Sequence, residues 1–175
     1  MNKKRLLFWI ILVITVLFLS FQVIHFIEHT VQVTAWIFGS QEKPYMTPLG
    51  MLGMNELGIL FYPNEEPVRQ SKLGFELLHL FGNAIFLLGI FSLLYFIRNK
   101  KIIWALLIQA FHFYEHLSLT MSMLFVIKPI GFSTLFGMAM GQWASVAYRI
   151  WWHFFFNLIP SVLIALIIYE IYKNR

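Results

Sequence analysis

Gln22-Val23-Ile24-His25-Phe26-Ile27-Glu28-His29 and Gln109-Ala110-Phe111-His112-Phe113-Tyr114-Glu115-His116 are two copies of one pattern, Q-x-x-H-F-x-E-H. Both copies lie inside long apolar stretches. Ionisable side chains are expensive in a bilayer and face a protein interior when they occur there. On a helix, positions three, four and seven apart share a face. Gln22, His25 and His29 therefore form one stripe, with Glu28 and Gln32 at its edge. Gln109, His112 and His116 repeat it, with Glu115 at the edge. The pattern predicts helices that bury a polar seam and present hydrocarbon elsewhere.

The rest of the chain agrees with a membrane setting. Of 175 residues, 59% are hydrophobic and 12% are charged, against about a quarter charged in soluble domains. Four segments are long enough for the roughly 20 apolar residues that span a bilayer. They are placed at about 6–38, 72–97, 102–127 and 147–172. The basic N-terminus before Leu6 resembles a secretory signal. Its apolar run is too long for one and has no small-residue cleavage site, so it reads as an uncleaved first helix.

Lys3, Lys4, Arg5, Arg98, Lys100, Lys101, Lys173 and Arg175 fall on one side of this arrangement, against Lys43, Arg69, Lys72, Lys128 and Arg149 on the other. The positive-inside rule then puts both termini in the cytoplasm. The basic residues form no patch or stripe, which excludes nucleic acid as a partner. The partner that composition supplies is the lipid bilayer, joined by other membrane subunits or an electron donor. The chain has no cysteine, so disulfides, thiolate metal sites and iron–sulfur clusters are excluded.

The two halves read as tandem repeats within one domain, about 6–97 and 102–172. Each is a motif helix, a Gly/Met-containing loop, and a helix carrying H-x-x-x-N: His79 with Asn83, then His153 with Asn157. The loop echo sets residues 50–54 against 137–141, and a short interfacial helix is expected at about 54–62. The expected fold is an all-α integral membrane protein, a four-helix transmembrane bundle of two parallel helical hairpins whose symmetry axis follows the membrane normal.

All six histidines fall in these four motifs. Imidazole-rich sets suit copper, iron, zinc and nickel, and helix bundles build metal sites from facing helices. The expected ligands are His25, His29, His112 and His116, with His79 and His153 completing the shell. Glu28 and Glu115 are expected to bridge metals, accept protons or orient His. Gln22, Gln109, Asn83, Asn157 and Glu76 are expected to hold the imidazoles by hydrogen bonds. Copper or iron in a redox or oxygenase-type centre fits best, with zinc as a further option.

The alternatives are distinct. H-x-x-E-H is also the inverted zinc-protease motif, but a protease needs one copy and an open cleft. Haem held by two imidazoles leaves the Glu beside each His without a role. Metal or proton transport needs polar groups toward both faces, whereas residues 84–96 and 158–168 are almost pure hydrocarbon. A structural subunit with a buried polar network requires no metal. The methionines near the loops read as gap fillers rather than copper ligands. One difficulty concerns depth: His79 precedes Arg98 by 19 residues, while His112 follows Lys101 by 11. At 1.5 Å per residue that is roughly 12 Å of offset, enough to make two sites of one.

Overall fold

Residues 2–39, 45–138 and 143–174 are described in a computed structural model, without the side chains of 143–145. Lys43, Met140 and Arg175, the side chain of Trp143, and part of the second Gly/Met loop lie outside the described residues. Five α-helices and one 3-10 turn make up the described fold, and no strand occurs among these residues: α1 (Lys3–Phe38), α2 (Pro48–Phe61), α3 (Pro67–Leu93), α4 (Lys100–Val126), the turn Phe132–Thr134, and α5 (Trp143–Lys173).

Local chemistry sets the ends. Asn2, Thr47 and Asn99 cap α1, α2 and α4 by accepting a backbone N–H within the first turn, which satisfies donors the helix itself leaves open. Pro48 and Pro67 open α2 and α3, where a missing N–H costs nothing. Ile127 ends α4 in the left-handed region at φ 64°. The second membrane segment, expected at 72–97, is displaced toward Pro67 and stops at Leu93 because residues 94–97 leave the helix in tight turns. The short helix expected at about 54–62 is longer than expected, since Thr47-Pro48 starts it six residues early.

α3 packs against α1, α2 and α4; α4 packs against α5, and α5 returns to α1. Small residues allow the closest approach. A Cβ at Gly74 would stand 2.0 Å from the Met54 carbonyl oxygen, and one at Gly58 would stand 2.5 Å from that of Gln70. Backbone contact of this kind is how helices associate where hydrophobicity gives no drive. The polar seam runs mid-way along the helices. Toward the end that carries both termini lies an apolar cluster of Phe86, Ile90, Leu93, Ile102, Ala105, Ile164 and Ile167. Lys101 and Glu170 form an ion pair beyond it. Toward the loop end, Val33, Trp36 and Ile150 form a second cluster.

Among the described residues three helices are long and apolar enough to cross a membrane: α1, α3, and α5 from Val146. α4 matches α3 in length, at 27 residues. Its buried face carries Gln109, His112, Glu115, His116 and Thr120, and that seam lowers its apolarity. Elsewhere the surface is hydrocarbon, with Leu17, Val23, Ile27, Leu88, Trp104 and Leu107 all more than half exposed. Such a surface is suited to lipid.

Candidate metal centre

Four helices bring all six imidazoles into one continuous cluster. Ring centroids lie 4.7 Å apart for His25–His29 and for His112–His116, the two pairs within a motif. Between helices, His29–His79, His79–His116, His112–His153 and His116–His153 lie at 5.5, 5.4, 5.5 and 4.7 Å. All six are buried, His25 being the most accessible at 9%. The depth offset disappears when it is counted from the helix ends. His79 is 14 residues before Leu93 and His112 is 12 after Lys100, a difference of about 3 Å.

Hydrogen bonds assign protons to three rings. His79 Nδ1 lies 2.9 Å from the Phe75 carbonyl and His153 Nδ1 lies 2.7 Å from that of Arg149. A carbonyl only accepts, so both Nδ1 atoms carry hydrogen and both Nε2 atoms keep a lone pair. His29 Nδ1 lies 3.2 Å from Gln32 Oε1, and the amide of Gln32 is oriented by donating to Glu28. His29 therefore takes the same tautomer. A histidine held at Nδ1 by a backbone or side-chain oxygen, with Nε2 bare, is the usual preparation of a metal ligand. His25 Nε2 stands 3.3 Å from His29 Nε2. Gln32 was noticed in the sequence only as a neighbour of the stripe; its Glu–Gln–His relay was not legible there.

The expected supporting residues are placed in matched pairs. Gln22 on α1 donates to Asn157 Oδ1 on α5 at 3.0 Å, and Gln109 on α4 donates to Asn83 Oδ1 on α3 at 2.8 Å. Asn83 and Asn157 each donate back to the carbonyl of their own motif histidine at 2.8 Å. Asn157 also reaches His112 Nε2 at 3.2 Å. Glu76 pairs with Arg149 at 2.7 Å, one turn before His79. Gly82 leaves room for His25, whose ring would lie 3.2 Å from an added Cβ.

The two motif carboxylates have partners other than those expected of metal bridges. Glu28 accepts the backbone N–H of Thr47 at 3.0 Å, and also its hydroxyl, at the start of α2. Glu115 accepts the N–H groups of Phe132 and Ser133, both at 2.8 Å, at the start of the 3-10 turn. Each carboxylate rests on a glycine: Gly50 for Glu28, and Gly131 for Glu115. Both glutamates thus fasten a loop-end segment to a histidine helix.

Several buried nitrogens lack partners among the described residues: Nδ1 of His112, both nitrogens of His116, and Nε2 of His153. A buried polar atom left unsatisfied costs about 1–3 kcal/mol. Asn157 donates to His112 Nε2, so the unpartnered Nδ1 of His112 carries hydrogen, and the lone pairs left open are those of His153 Nε2 and of one His116 nitrogen. As placed, no three His, Asp or Glu side chains among the described residues are arranged to hold an ion.

One family matches the chain along its whole length, residues 1–175. The chain belongs to DUF6008, a family of unknown function. No curated protein and no solved structure matches this DUF6008 chain.

Proposed function

We propose that this DUF6008 chain is an integral-membrane metalloprotein whose six histidines bind one or two copper or iron ions. In this reading α1, α3, α4 and α5 all cross the bilayer as a four-helix bundle of two tandem hairpins, 6–97 and 102–172. Both termini face the cytoplasm. The matched pairs Gln22–Asn157 and Gln109–Asn83, and the two carboxylates seated on loop segments, support the repeat.

The observation that carries the proposal is the tautomer pattern. His29, His79 and His153 each carry hydrogen at Nδ1 and a lone pair at Nε2, that of His29 accepting from His25, and their ring centroids form a triangle of 5.5, 5.9 and 6.0 Å. That is the scale of three imidazoles converging on one ion at roughly 2.0–2.1 Å from each nitrogen. His79 and His153 are therefore primary ligands together with His29. His25, His112 and His116 complete the shell or hold a second ion. Glu28 and Glu115 act as loop anchors; through Gln32, Glu28 also orients His29.

A bound copper or iron ion would supply one-electron redox chemistry in a water-poor pocket. The protein holds the rings, fixes their tautomers and excludes water. Its role is a redox centre or a subunit of a larger redox complex. The apolar cluster from Phe86 to Ile167 closes the terminal end, which argues against passage of ions through the bundle. X-ray absorption spectroscopy on metal-loaded protein tests the ligand set: a nitrogen shell with imidazole multiple scattering is expected, and an oxygen-only shell would contradict it.

One observation favours a second reading. The Gln–Asn bonds satisfy much of the seam without metal, as in a structural subunit whose polar network fixes helix register.

A further inference from the structure

A cleft of about 910 Å³ opens at the loop end, beside the histidine cluster. Its walls include Met54, Val68, Phe75 and Met123, and Ser71, Lys72, Glu76 and Arg149 contribute the polar part. The size is within the usual range of small-molecule sites, which are mainly apolar with a few polar groups to fix orientation. Glu76 is 3% exposed, and its Oε1 accepts from Arg149 at 2.7 Å. Its Oε2 has no hydrogen-bond partner among the described residues. The Arg149 guanidinium lies 5.5 Å from the centre of the Phe75 ring.

We infer that this cleft binds a lipophilic phenol, a membrane-soluble molecule with an aromatic hydroxyl head. Glu76 and Arg149 largely neutralise each other, Lys72 is exposed at the rim, and the unpartnered Oε2 of Glu76 is an acceptor that repels an anionic head group. Glu76 needs a donor at Oε2 and Arg149 offers donors of its own. A hydroxyl both donates and accepts, so a single O–H serves the pair. Phe75 and the thioethers of Met54 and Met123 suit an aromatic ring better than an aliphatic chain, since sulfur–aromatic contacts are favourable. The cleft is also coupled to the cluster. The carbonyls of Phe75 and Arg149, two of its wall residues, are the groups that fix His79 and His153. Occupancy therefore bears directly on the two rings whose Nε2 atoms face metal duty in the proposed function. The phenol site itself needs no metal, because neither Glu76 nor the cleft walls belong to the proposed ligand set.

The test is photolabelling of the full chain in phosphatidylcholine nanodiscs with a 4-alkylphenol carrying a diazirine on its tail. It is run on both chelator-treated and metal-loaded protein. Label is expected on Met54, Val68, Phe75 or Met123, suppressed at least tenfold by excess 4-nonylphenol and left unchanged by nonylbenzene, which lacks the hydroxyl. Glu76→Gln removes the charged acceptor and lowers labelling by about tenfold, the effect of one hydrogen bond to a charged group. Val68→Trp narrows the mouth at a residue 68% exposed, leaves the ion pair intact and also suppresses labelling. Label spread along the lipid-facing helices, equal competition by nonylbenzene or palmitate, or full labelling of Val68→Trp would each overturn the inference. Site-specific labelling of protein that takes up no metal would sustain the cleft and remove only the metal centre.

Discussion

Gln109 on α4 donates its side-chain amide to Asn83 on α3 at 2.8 Å, with both residues fully buried. The bond ties α3 to α4 beneath the histidine cluster. Gln109→Leu leaves the Asn83 oxygen without its donor, at a cost of about 1–3 kcal/mol. The expected result is a lower unfolding midpoint in detergent. Gln22→Leu should act similarly through Asn157, and an unchanged midpoint in both variants would remove the seam from the account of stability.

Arg149 is the sole charged partner that Glu76 has among the described residues, and the carboxylate is nearly inaccessible, at 4% of its side chain. Breaking a buried pair from one side costs about 3–5 kcal/mol, whereas replacing both members by apolar groups is often neutral. Arg149→Leu should therefore be strongly destabilised, and adding Glu76→Leu should recover most of the loss. Equal stability of the single and double variants would show that the pair is not a closed unit.

Glu115 separates two roles, loop anchor and metal bridge. As an anchor, Glu115→Ala frees the N–H groups of Phe132 and Ser133. Hydrogen exchange should then rise across residues 128–138 while metal content stays the same. Gly131→Ala should do likewise, since its Cβ would stand 2.6 Å from Glu115 Oε1. Loss of metal without faster exchange in the loop would return Glu115 to the ligand set.

The sequence made much of this legible and obscured some of it. The stripes of Gln22-His25-His29 and Gln109-His112-His116 announced the buried seam because helical spacing alone puts them on one face. The depth problem arose from measuring to Arg98 and Lys101, as if charge marked the helix ends. The helix stops at Leu93 and the next begins at Lys100, so residues 94–99 belong to the connection and add no depth. The partners of Glu28 and Glu115 were not legible, because Thr47 and Phe132 lie 19 and 17 residues away across loops. The tautomers of His79 and His153 depend on carbonyls one turn back, which any helix offers and only ring orientation selects.

Topology is directly accessible because the chain has no cysteine of its own. Single variants Glu65→Cys, Arg98→Cys, Lys128→Cys and Asn174→Cys are exposed to a membrane-impermeant maleimide on intact cells. Glu65→Cys and Lys128→Cys should label at once, and Arg98→Cys and Asn174→Cys only after lysis. Labelling of Arg98→Cys and Lys128→Cys from the same side would mean that α4 does not cross.

The most direct measurement of the central claim is metal content by mass spectrometry on detergent-purified protein, alongside a His79→Ala/His153→Ala double variant and a His25→Ala/His112→Ala double variant. About one or two equivalents of copper or iron are expected, in line with sites of this ligand number. Loss should be complete in the first variant and at least partial in the second, with helix content retained in both. Folded wild-type protein that holds no metal after reconstitution with either ion would contradict the claim and leave the six histidines as a structural network.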